Sequence, residues 1–72
     1  MTNVDKLKGK IVEKRINPEA LANRIGMDKS TWYRKLSGNG EEFTIKQADG
    51  IAKALELSPD EAMAIFFSQF VA

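Results

Sequence analysis

The 72-residue sequence contains no cysteine and no histidine. The first absence excludes a disulfide scaffold and every thiolate metal site, and the second removes the commonest general base and the commonest metal ligand. Most catalytic templates fail on those grounds. Serine, lysine, aspartate and glutamate remain, but none pairs with a base at a spacing that builds a convergent set, so neither enzymatic activity nor a cofactor is expected. No apolar run approaches the roughly 20 residues that a membrane-spanning helix needs. Met1 to Lys10 lacks the apolar stretch of a signal peptide, and the expected location is the cytoplasm. At this length there is room for one domain, residues 1–72, which on folding buries only about 60% of the surface its unfolded chain exposes.

Charge is balanced in total and uneven in place. The formal net charge is +1. Residues 1–40 carry nine Lys and Arg against four Asp and Glu, whereas residues 41–72 carry two against six. One end of the chain can meet a polyanion; the other cannot.

The punctuation of the sequence marks helices, and no segment alternates as a strand does. Val4, Leu7 and Ile11 recur at helical spacing behind Thr2 and Asn3, predicting a first helix over residues 3–14. Asn17-Pro18-Glu19 supplies an N-cap, a residue that needs no amide, and an acid at the positive end of a second helix running to about Ile25. Gly26 ends it. Asp28 caps a short third helix, about Lys29 to Ser37. Thr44 and Gln47 have capping-box spacing, opening a fourth helix from Ile45 to about Leu57 with an apolar face of Ile45, Ala48, Ile51, Ala52 and Leu55. Ser58-Pro59-Asp60-Glu61 opens a fifth, predicted over 59–71.

About three residues centred on Gly26 join the second and third helices, too few for a relaxed antiparallel return. A helix-turn-helix over about 18–37 follows, with three physical demands: a small residue where the helices pack closely, a glycine for positive φ at the turn, and an apolar anchor on the second helix. Ala22, Gly26 and Trp32 fill them, with Leu36 completing the anchor one turn on. At about 100° per residue, Trp32 and Leu36 fix the buried direction of the third helix, so Ser30 and Arg34 face outward. Thr31 and Lys35 flank them on one side and Tyr33 on the other, while Lys29 reaches forward from the first turn. Tyr33 is either a rim residue covering Trp32 or a reader facing a partner. An outer face of this kind has the chemistry to read base edges, Arg and Lys towards guanine and hydroxyls towards bases or phosphates.

The stretch PEALANRIGMDKSTWYRKLSG resembles the helix-turn-helix of the lambda-repressor-like family, in particular the small phage repressors and Cro-like regulators of Gram-positive hosts. The likeness extends through FTIKQADGIAKALELSPDEAM and so covers about residues 4–66. It implies an all-α, compact five-helix DNA-binding domain whose third helix enters the major groove of duplex DNA. The base-reading positions of the family fall on Lys29, Ser30, Tyr33 and Arg34. Its phosphate-contacting positions fall near Asn17, Ser37, Asn39 and Lys46, and Thr31 and Lys35, which flank the reading face, are expected to contact phosphate with them. Two departures stand out. The glutamine that often opens the second helix is Pro18 here, which cannot make that backbone contact, and the apolar residue often found three after the anchor is Lys35.

The segment AMAIFFSQFVA carries more apolar surface than one core face absorbs. Phe66, Phe67 and Phe70 are the candidate surface for a second copy of the chain, and a homodimer implies an inverted-repeat operator. The alternative is that the last turn folds back as core over the first helix. A different function class, a helical protein-interaction module such as an antitoxin or adaptor, would use the same apolar helix. Neither a membrane nor a small-molecule ligand is implied.

Overall fold

The computed structural model describes residues 2–37 and 42–68. Within them the chain forms α1 (Val4–Glu13), α2 (Pro18–Arg24), α3 (Lys29–Leu36), α4 (Ile45–Ala54) and α5 (Pro59–Phe66), and no strand. Every start is capped by the residue the sequence offers. Asn3, Asn17 and Asp28 accept backbone amides of their own first turns, and Thr44 and Ser58 form full capping boxes with Gln47 and Glu61. Caps of this kind are each worth about 1 kcal/mol, which matters for helices of seven to ten residues that would not persist alone.

The ends of the helices share a second device. Three of the four connections are four residues long: 14–17, 25–28 and 55–58. Each consists of a C-cap, a residue with left-handed φ, an apolar residue and the next N-cap. The left-handed residues are Arg15 (φ 56°), Gly26 (φ 77°) and Glu56 (φ 53°). Behind them the amides of Ile16, Met27 and Leu57 reach back to the carbonyls of Ile11, Ala22 and Ala52 at 3.1, 2.9 and 2.9 Å. This is the Schellman arrangement, in which an apolar residue after the turn packs on the helix it has just left. Only the middle joint uses glycine, the residue that adopts this conformation without penalty.

The core gathers one stripe from each helix: Leu7 and Ile11, Leu21 and Ala22, Trp32 and Leu36, Ala48 and Ile51, Ile65 and Phe66. Three expectations are corrected here. α4 stops at Ala54 instead of about Leu57, because the left-handed Glu56 turns the chain back. Ile45, expected on its inner face, is 79% exposed. It is the first residue of the helix and lies about 90° from the direction shared by Ala48, Ile51 and Leu55. α5 ends at Phe66, five residues short of 71, and Phe66 itself is buried instead of presented to a partner. Its ring meets Phe43 edge-on at 6.1 Å, and Phe43 in turn meets Trp32 at 5.7 Å. The apolar excess of the C-terminal segment is thus partly absorbed within the chain. Phe67 is half-buried against the same cluster, and Phe70 lies outside the described residues.

Gly50, out of place in a helix by propensity, has a packing reason. A Cβ there would stand 3.0 Å from Cγ2 of Ile25. The middle of α4 and the end of α2 approach at this point more closely than an alanine comfortably allows.

Candidate nucleic-acid interface

α2 and α3 pack directly on one another, with the joint at Gly26 between them. Ala22 is buried where the helices approach, Met27 is tucked beneath the turn, and Trp32 and Leu36 hold α3 down. With that direction fixed, the opposite side of α3 is set. Lys29, Ser30, Tyr33 and Arg34 are all exposed, whereas Thr31 and Lys35 are half-buried. Asp28 caps the helix through Thr31 N–H at 2.7 Å, and hydrogen bonds from that residue hold its carboxyl below the usual carboxylate range. The cap satisfies one of the free amides in the first turn of α3.

A feature the sequence reading did not find lies across the joint. Glu19, the second residue of α2, reaches α3 at two places. Its Oε1 is 3.4 Å from Lys29 Nζ, and its Oε2 accepts the Tyr33 hydroxyl in a long hydrogen bond of 3.2 Å. Desolvation and this bond raise the Tyr33 hydroxyl above its ordinary value. Sequence spacing carries no signal for this contact, because the three residues belong to two helices whose relative placement is set by the core. Read alone, Glu19 is an acid at the favourable end of a helix.

Lys35 is also redirected. It was expected among the phosphate contacts, but its Nζ donates to the carbonyl of Glu42 at 2.6 Å and sits 5.9 Å from the centroid of the Phe43 ring. Glu42 then takes Thr2 in hand, accepting from its hydroxyl at 2.7 Å and from its backbone amide at 3.0 Å. Thr2 lowers the Glu42 carboxyl as a result. Lys35 thus ties α3 to the segment before α4, and through it to the start of the chain. Its place in the sequence, on the flank of a cationic face, gave no hint of an intramolecular partner.

Of the remaining expected phosphate contacts, Asn17 is exposed, and its carboxamide oxygen caps α2 through Glu19 and Ala20 N–H. Ser37 is exposed, and its hydroxyl donates to the Arg34 carbonyl at 2.6 Å. Lys46 is exposed on the first turn of α4. Asn39 lies outside the described residues. Beside Lys46, an open cleft between α2 and α4 is lined by Arg24, Gly50 and Lys53 with Asp49.

Among the described residues no cluster of three metal-ligating side chains occurs, and no helix is long and apolar enough to cross a membrane. The model of one family, described as a Cro/C1-type HTH DNA-binding domain, matches residues 6–67. No curated protein and no solved structure matches the chain.

Proposed function

Because the chain belongs to the Cro/C1-type HTH DNA-binding domain family, we propose that it is a phage-type transcriptional regulator, a repressor or Cro-like switch protein, that reads an inverted-repeat operator as a homodimer. DNA is the partner the family implies; the operator, the dimer and the regulatory role are this reading's own. The observation that carries it is the exposed side of α3, where Lys29, Ser30, Tyr33 and Arg34 stand together opposite the buried Trp32 and Leu36. In the major groove Arg34 and Lys29 have the donors for guanine O6 and N7, and Ser30 and Tyr33 bring hydroxyls. Asn17, Ser37 and Lys46 flank this stripe and hold its register on the phosphates.

For the second copy, the surface with most support is the groove between α4 and α5, where exposed Ile45 stands beside Phe67 with Ala52 and Ala62. Burial of Phe66 withdraws one of the three phenylalanines expected at the surface, from the second-copy reading as much as from a protein-interaction module. Selection of bound duplexes from a random pool tests the reading directly. A palindrome with half-site centres about 10 to 10.5 base pairs apart, or a multiple, supports it. A pool that emerges unenriched sinks it.

A further inference from the structure

The Glu19 carboxylate touches two candidate readers at once, one helical turn apart on α3. A carboxylate only accepts hydrogen bonds, so in its contact with Tyr33 the phenol must be the donor. The one hydroxyl hydrogen of Tyr33 is thereby committed to α2. What remains for an approaching duplex is the lone pairs of the oxygen. Lys29, held by the other carboxylate oxygen, offers donors only.

Resting on the DNA-binding reading above, we propose that Glu19 is a specificity-determining positioning residue. By holding the Tyr33 hydroxyl as an acceptor, it makes Tyr33 select a base that presents an amino group in the major groove, cytosine N4 or adenine N6. The edges there are unambiguous: guanine offers O6 and N7 as acceptors and thymine offers O4, whereas cytosine and adenine carry amino donors. A tyrosine with a free rotor serves donors and acceptors alike and discriminates little. A tyrosine whose hydrogen is fixed meets guanine or thymine with acceptor against acceptor. Glu19 is suited to the task because it sits at the positive end of α2, and Asn17 fixes its backbone amide. Lys29 keeps two N–H groups for DNA while still paired to Glu19, so engaging the groove does not require the pair to open.

The test is selection from a random duplex pool with the wild type, Glu19→Ala, Glu19→Gln, Tyr33→Phe and the Glu19→Ala/Tyr33→Phe double variant, each checked for folding by thermal melting. The half-site position whose preference changes in Tyr33→Phe is the one Tyr33 faces. At that position the wild type is expected to favour C or A over G and T by a few-fold to about tenfold, the range of one net hydrogen bond. Glu19→Ala and Glu19→Gln should flatten that preference while leaving the other positions sharp, and the double variant should match Tyr33→Phe. Glutamine keeps the size of the side chain but can donate as well as accept, so it no longer dictates the direction of the bond to the hydroxyl. A wild-type preference for G or T there, or the same preference retained by both Glu19 variants, overturns the proposal and leaves the DNA-binding reading standing. Failure of the wild type to enrich any sequence overturns both.

Discussion

Gly50 in α4 and Ile25 at the end of α2 meet so closely that a β-carbon on the glycine would lie 3.0 Å from the isoleucine Cγ2. The contact explains a helical glycine whose conformational penalty of about 1 kcal/mol would otherwise have no return. Gly50→Ala in the wild type should therefore gain little or nothing in denaturant unfolding, because relief of the propensity penalty is offset by crowding. In an Ile25→Ala background, where Cγ2 is gone, the same change should stabilise by about 1 kcal/mol. Gly9 is the control. A Cβ there meets nothing within 4 Å, and Gly9→Ala should add about 1 kcal/mol on its own.

The two non-glycine residues with left-handed φ, Arg15 and Glu56, are open to improvement. An L-residue in that conformation costs roughly 1–2 kcal/mol, part of which glycine returns as unfolded-state entropy. Arg15→Gly and Glu56→Gly should each raise stability by about 0.5–1 kcal/mol, additively, since they terminate different helices. Chemical denaturation of the single and double variants measures this, and a loss of stability would mean the joints are not strained.

Glu61 contributes to the acid dependence alongside Asp28 and Glu42, whose carboxyls are also lowered. Hydrogen bonds from Lys10 and then from the Ser58 amide pull its carboxyl from 4.5 to about 2, and the same pairing raises the Lys10 ammonium. The folded carboxyl lies below its unfolded value, so its contribution is fully present above about pH 4.5 and fades as pH falls towards 2. The Lys10 contribution is present below pH 10.5 and is lost as pH rises through its raised value. Tm recorded between pH 2 and 6 should fall less steeply in Glu61→Gln than in the wild type, because that variant no longer has the carboxylate to protonate. Parallel curves would remove the α1–α5 pair from the account.

On DNA, Arg34 and Lys46 should separate. Arg34→Ala is expected to cost about 1–3 kcal/mol on the selected operator and far less on random duplex, as loss of a base contact does. Lys46→Ala should weaken both alike and lower the slope of log affinity against log salt by about 1, the signature of one phosphate contact. Binding titrations at three salt concentrations distinguish them. Equal loss on both duplexes for Arg34→Ala would take Arg34 out of the base-reading set.

How far the sequence was legible follows from the range of the forces involved. Caps are local, and Asn17, Asp28, Thr44 and Ser58 act where they were expected. The buried direction of α3 is periodic, and Trp32 and Leu36 define it. Contacts between elements leave no periodic trace. Phe43 is an isolated aromatic outside any helix, yet its ring bridges Trp32 and the inward-turned Phe66. Glu19 and Lys35 acquire their roles from neighbours on other segments, ten to fourteen residues away for the one and seven for the other. The turn at Gly26 was legible because glycine announces it. The equivalent turns at Arg15 and Glu56 were not, since neither residue favours the conformation it adopts.

Those three turns bear on where recognition resides. The joint that makes α2 and α3 a helix-turn-helix is built to the same four-residue plan as the joints before α2 and after α4. The corner is a shared fitting, and none of the candidate readers on α3 belongs to it. In the reading proposed above, what distinguishes this pair of helices is its outer face, where Glu19 on one helix holds the hydroxyl hydrogen of Tyr33 on the next.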